Sequence, residues 1–171
     1  MEALTFPPLL AKFLAIKCDY DDGNGIDFES HPGFLSADEA QSWFRAWTGN
    51  AEADVSSYRV FGQDGTGGYA AFWLVRPTAD VLQQPVVFFG SEGELGVIAI
   101  DFYDLLWLFA GRYGPQEAVA YPIEERAPDP GFTPFAMAHA PDKQKSVAEI
   151  IAAARTEFPN FDSDIRALCG Y

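Results

Sequence analysis

The sequence predicts an α+β fold: a central, mostly antiparallel β-sheet of about four to six strands with helices packed on it. Segments 58–61 and 69–75, and then 85–89 and 95–100, are rich in aromatic and β-branched residues, and each pair flanks a glycine-containing turn. This pattern is typical of two β-hairpins. Because the strands are apolar on both faces, helices or another layer must cover much of each face.

Two helices are expected before the sheet. Apolar residues recur at helical spacing over residues 6–14, and this segment has near its start a proline pair that suits a first helical turn. The pattern predicts a short amphipathic helix. Ser36 and Glu39 have the spacing of a capping box, in which the hydroxyl and the carboxylate each bind a backbone N–H. A second helix is therefore predicted over residues 37–47, and Gly49 supplies its left-handed stop.

Further helices are expected after the sheet. Asp101 is a typical N-cap residue and predicts a helix over residues 102–111. Ser146 and Glu149 repeat the capping-box spacing and predict a helix over residues 147–158. The chain after that helix has room for one short helix more.

The stretch between these helices, residues 112–145, is rich in proline. It contains six prolines, which prevent long helices. The sequence predicts an ordered but irregular excursion here, with one strand near residues 132–137.

Composition narrows the class of protein. The 171 residues, 49% of them hydrophobic, provide one buried core, so residues 1–171 are expected to form a single domain. With 25 acidic and 11 basic side chains, the formal net charge is −14. That charge repels phosphate backbones and favours basic partners, which argues against direct binding of nucleic acid. Acidity also serves solubility alone, so the charge by itself names no partner.

The excess of acidic residues is greatest in the first third of the chain, where residues 1–57 hold 10 acids and 3 bases, and half of these acids lie in a loop after the first helix. Residues 18–35 combine turn formers with five carboxylates and are too polar and too rich in glycine for a regular helix. The loop is expected on the surface, with room for a short strand. Its acidic residues are candidate contacts with a partner protein: Asp19, Asp21, Asp22, Asp27 and Glu29.

Motifs for catalysis, cofactors and metals are incomplete. The acidic loop resembles a calcium loop, but Gly23 and Ser30 stand at two positions that need ligand oxygens. The glycine-rich segment 62–68 lacks the lysine of a phosphate loop and leads into a strand, so it is interpreted as a hairpin turn. His31 and His139 have no metal-binding spacing. The expectation is a binding protein without enzymatic activity, cofactor or metal.

One tryptophan is a further candidate contact. Trp107 lies out of register with the apolar stripe of its predicted helix, formed by Leu105, Leu106 and Phe109. Because tryptophan is favoured at interaction hot spots, Trp107 is the tryptophan expected to be exposed and to contact a partner.

The sequence indicates a cytoplasmic protein. The apolar N-terminal stretch, residues 3–16, lacks a basic start and contains prolines and Lys12, so it is a poor signal peptide. The longest apolar stretch, residues 95–111, is interrupted by acids and is too short for a membrane span. Cys18 and Cys169 belong to no paired motif, which indicates a reducing compartment and leaves a disulfide between them open.

Three segments carry a resemblance to a known family. They are FGQDGTGGYAAFWL at residues 61–74, PVVFFGSEGE at residues 85–94, and the strand running into a helix at residues 97–108. In order and spacing they resemble the SUKH superfamily, which includes fungal cell-wall-assembly regulators and bacterial immunity proteins. The family's usual N-terminal pattern is not evident in the first third of this chain.

The resemblance implies both a fold and a role. The fold is α+β with a mixed or antiparallel sheet, and the role is to bind and neutralise a cognate protein toxin, often a nuclease or deaminase. The partner would then be a basic toxin domain. Two alternatives stay open: a regulatory scaffold of the cell-wall-regulator kind, and a small hydrolase that uses the acidic loop with a divalent cation.

Overall fold

A five-stranded antiparallel sheet lies at the centre of the protein, whose computed structural model describes residues 4–170. Its strands are β1 (Glu29–Ser30), β2 (Tyr58–Gln63), β3 (Tyr69–Trp73), β4 (Val86–Phe89) and β5 (Leu95–Ala99). They are hydrogen-bonded to one another in chain order, and each pair is antiparallel. The sheet and the helices on it confirm the predicted α+β fold.

Helices cover both faces of the sheet. The α-helices of the described residues are α1 (Pro8–Leu14), α2 (Ala37–Thr48), α3 (Phe102–Ala110), α4 (Pro115–Ala120), α5 (Phe132–His139), α6 (Val147–Glu157) and α7 (Phe161–Leu168). Phe88 belongs to the core beneath α1, α3 and α5, whereas the next residue, Phe89, packs with α2 and α7. Successive strand residues point to opposite faces, so a strand that is apolar throughout requires this double cover.

The glycine-rich turn between β2 and β3 is a hairpin turn, as predicted. Asp64 Oδ1 accepts hydrogen bonds from the N–H groups of Thr66 and Gly68 at 2.9 and 2.8 Å, which fixes the turn. Gly62 lies on β2, and a Cβ there would stand 2.2 Å from Phe28 Cζ. That glycine therefore allows the acidic loop to pack directly on the sheet.

Helix α2 begins with the predicted capping box. Ser36 Oγ accepts the N–H of Glu39 at 3.3 Å, and Glu39 Oε2 accepts the N–H of Ser36 at 3.2 Å. At the other end Gly49 has a φ of 63°, the left-handed conformation expected of a helix stop.

Replacing Ser36 with Ala should lower the free energy of unfolding by about 1 kcal/mol, because the N–H of Glu39 loses its acceptor. The matched control is Ser42→Ala in the exposed middle of the same helix, which should change stability by less than about 0.5 kcal/mol. Urea unfolding followed by circular dichroism measures both. Equal losses in the two variants would contradict a capping role for Ser36.

The proline-rich stretch contains two helices that the sequence did not predict. The expected strand near residues 132–137 is wrong, because this segment forms α5, and α4 also lies in the stretch. Pro115 is the first residue of α4 and Pro134 the third of α5, positions whose N–H groups have no acceptor within the helix. Asp129 Oδ1 accepts two backbone N–H groups at the start of α5, at 2.8 and 3.0 Å.

Candidate protein-binding site

The acidic loop, residues 18–35, leaves α1 and joins the sheet edge as β1. The carbonyl of Tyr20 accepts the N–H of Gly23 at 3.0 Å, which closes a tight turn. Within it Asp21 and Asp22 have φ values of 44° and 51°. Aspartate tolerates this left-handed region better than most residues, and both carboxylates are exposed.

Three of the predicted contact residues lie side by side on this turn. Asp19, Asp21 and Asp22 are all exposed. Tyr20 lies between them in the chain and is 55% exposed, so its ring is open to a partner. Carboxylates that flank an exposed tyrosine suit contact with a protein, since tyrosine combines a large apolar area with a polar tip.

Glu29 and Asp27 have different positions from these three. Glu29 is exposed on β1, where it pairs with Gln63. Asp27 is half-buried, and its Oδ1 accepts the N–H of Gly65 in the β2–β3 turn at 3.0 Å. Asp27 therefore fixes the loop to the sheet, and its carboxylate is already engaged within the fold.

A buried glutamate that sequence reasoning missed holds the loop from beneath. Glu117 is 1% exposed, and its carboxylate accepts the N–H of Gly114 at 2.9 Å and the N–H of Asp27 at 3.3 Å. Burial raises the pKa of Glu117 to about 7, although the two hydrogen bonds oppose that rise. The sequence did contain a signal for this role of Glu117. Pro115 suits the first position of a helix, and a glutamate two residues later can bind a backbone N–H at the helix start.

A second surface segment, residues 121–126, lies beside the acidic loop. Arg126 Nη1 donates to the carbonyl of Gly25 at 3.1 Å and to that of Arg112 at 2.8 Å. Its guanidinium lies over the ring of Tyr113, 4.1 Å from the centroid. Arg126 thus joins the segment to the loop across a separation of 101 residues in sequence.

The second segment has the same character as the loop. Tyr121 is 44% exposed and Ile123 is 38% exposed. Glu124 and Glu125 are exposed beside them, and within residues 4–170 neither carboxylate has a salt-bridge partner. We call the two groups together the acidic face, made of Asp19, Tyr20, Asp21, Asp22, Tyr121, Ile123, Glu124 and Glu125.

An ion pair crosses between the loop and the end of α3. Arg112 Nη2 lies 3.0 Å from Asp21 Oδ2. Arg112 has a φ of 64°, so both partners hold a left-handed backbone conformation. Because the aspartate is largely exposed, the pair contributes little to stability, and its effect is to orient the loop.

Trp107 is buried, and the prediction of its exposure is wrong. It is 4% exposed, and its Nε1 donates to the carbonyl of Ala140 at 2.8 Å. Helix α3 is buried on nearly all sides between the sheet, α5 and α6. The face that an amphipathic helix normally turns to solvent is therefore covered as well.

The described residues offer neither a metal-binding cluster nor an activated thiol at Cys18. Residues 4–170 contain no group of three His, Cys, Asp or Glu side chains placed to hold a metal ion. Burial, with a contribution from Asp129, raises the pKa of Cys18 to about 12, which makes its thiol a poor nucleophile. The hydrolase alternative needs carboxylates that converge on a cation, and the described residues, 4–170, contain no such group of three.

Two further observations concern the expected compartment. Cys18 and Cys169 are both free thiols, so the disulfide that the sequence left open is not formed. Across residues 4–170, every helix is too short or too polar to cross a membrane.

Comparisons with protein-family models, with curated proteins and with solved structures find no match to this chain.

Proposed function

We propose that this protein is an immunity-type protein that binds and neutralises a toxin domain with a basic, nucleic-acid-binding cleft. The observation that carries the proposal is the acidic face, where two distant chain segments, joined by Arg126, each place exposed carboxylates next in the chain to exposed apolar side chains. The sequence resemblance to the SUKH superfamily supplies the class of partner. The binding would need no catalytic group.

Electrostatics gives this face a physical role. A nuclease or deaminase must present positive charge to its substrate, and a partner of net charge −14 is attracted to that cleft over a long range. Charge speeds the encounter, while Tyr20, Tyr121 and Ile123 supply the apolar area that slows dissociation. The protein would block the cleft without contacting nucleic acid itself.

The proposed role places the protein in the cytoplasm, where such a toxin reaches nucleic acid. The two free thiols are compatible with a reducing compartment.

Co-expression tests the proposal. The toxin domain encoded by the adjacent reading frame should arrest growth alone, and this protein should restore growth and co-purify with the toxin. Absence of both protection and complex would refute the proposal. Stable association with several cellular proteins and no toxin would instead favour the regulatory scaffold.

Neutralising the loop should weaken the complex about tenfold at low ionic strength, mainly through slower association. The variant is Asp19→Asn/Asp22→Asn, because asparagine keeps the shape and tolerates the left-handed conformation of Asp22. The control, Asp38→Asn/Glu52→Gln, removes the same charge from exposed residues outside the acidic face. Surface plasmon resonance at increasing salt should show the difference vanish as charges are screened. Equal affinities of the two variants at low salt would contradict a role for the loop.

A further inference from the structure

A groove lies behind the second segment of the acidic face, between residues 121–128 and the start of α6. Its volume is about 660 Å³, which is within the range of ligand sites. Trp107, Ala110, Ile123 and Val147 are apolar residues that line it. The groove is therefore apolar in part and wide enough for a side chain together with the backbone that carries it.

The charges around the groove favour a cation. Glu124, Glu125 and Glu149 line it, together with Arg126 and Lys145. Both cations are already engaged: Lys145 Nζ lies 3.0 Å from Asp104 Oδ2, and Arg126 binds two carbonyls and the ring of Tyr113. Counting the Asp104 carboxylate, four acids stand against two bases.

The start of α6 would by itself favour an anion. Ser146 and Glu149 already occupy it. Ser146 Oγ accepts the N–H of Glu149 at 3.2 Å, and the carboxylate of Glu149 adds negative charge to the first turn.

We propose that this groove takes an arginine or lysine side chain of the partner protein. The methylene stem lies along the apolar lining, and the charged head group reaches Glu124 and Glu125. The identity of the partner rests on the proposed function, but the preference for a basic side chain rests on the groove alone.

A small probe tests the groove directly. N-acetyl-arginine methylamide, titrated into the ¹⁵N-labelled protein, should shift the amide signals of Gly111, Val147 and Ala148 saturably, with a dissociation constant on the order of millimolar. N-acetyl-norleucine methylamide, which lacks the charge, should shift them much less. Equal shifts with the two probes, or shifts confined to residues outside the groove, would overturn the proposal.

A steric block provides the matched variants. Ala148 is exposed and lines the groove, while Ala152 is exposed one turn further along α6 and does not line it. Ala148→Trp should abolish the arginine shifts, and Ala152→Trp should leave them unchanged. Circular dichroism verifies that both variants fold. Unchanged arginine binding by a folded Ala148→Trp would refute the groove site.

The toxin complex separates this inference from the proposed function. Ala148→Trp should bind the toxin at least about tenfold more weakly than Ala152→Trp, since a hot-spot contact is lost. If both tryptophan variants bind the toxin equally and still protect cells, the groove inference fails and the proposed function stands. If the wild type gives no protection while arginine still binds the groove, the proposed function fails and the basic-side-chain site stands.

Discussion

Replacing Lys145 with Met should lower the free energy of unfolding by about 3 kcal/mol, because it leaves a buried carboxylate without its counter-ion. The side chain of Asp104 is fully buried, and its two oxygens accept hydrogen bonds from Lys145 Nζ at 3.1 and 3.0 Å. Burial raises the pKa of Asp104, and the lysine opposes that rise. Without the lysine, the Asp104 carboxylate loses its attractive partner, while the full free-energy cost of desolvating its charge remains.

The loss should shrink as the solution is made more acidic, because protonation of Asp104 removes the unpaired charge. Lys143→Met is the matched control, since Lys143 is exposed nearby and forms no ion pair with Asp104 among the described residues, and its charge lowers the pKa of that carboxyl only from a greater distance. Urea unfolding at several pH values measures both variants. A loss in Lys145→Met no greater than in the control would show that the carboxylate does not depend on this lysine.

The free energy of unfolding should fall by about 3 kcal/mol as pH rises from the pKa of Glu117 in the unfolded chain to its pKa in the folded protein. Burial raises the pKa of Glu117 from 4.5 to about 7 in the folded protein. Between these two values the folded protein holds a proton that the unfolded chain releases. The stabilising contribution is therefore fully present below about pH 4.5 and is lost as pH rises through about 7.

Glu117→Gln should remove this dependence, since glutamine stays neutral and its oxygen can still accept the N–H of Gly114. The difference in unfolding free energy between wild type and variant should shift in favour of the variant as pH rises from about 4.5 to about 8. Glu125→Gln, the same change at an exposed site, should give a difference that stays flat. A flat difference for Glu117→Gln as well would contradict the raised pKa.

The elements that local chemistry specifies could be predicted from the sequence. The capping box at Ser36, the N-cap at Asp101 and the two hairpins depend on residues within a few positions of one another, and the structure has all of them. The helices α4 and α5 could not be predicted from a count of prolines. What decides the effect of Pro115 and Pro134 is their place in a first turn, which depends on where each helix begins.

Only the exposed residues of the site could be predicted from the sequence. The composition of the acidic loop indicated exposed carboxylates at Asp19, Asp21 and Asp22, and the structure exposes them. The inward role of Asp27 depends on a contact with Glu117, 90 residues away. Residues 121–126 join the site through Arg126 in the same way. Such long-range contacts leave no periodic signal in a single sequence.

Hydrogen–deuterium exchange on the purified complex with the toxin domain would map the contact surface of this protein. The acidic face should be the contact surface, so backbone amides of residues 19–26 and 121–126 should exchange more slowly in the complex than in the free protein. Amides of α2 and α7, on the other side of the sheet, should be unchanged. Slower exchange in α2 and α7, with no change at the acidic face, would contradict the account.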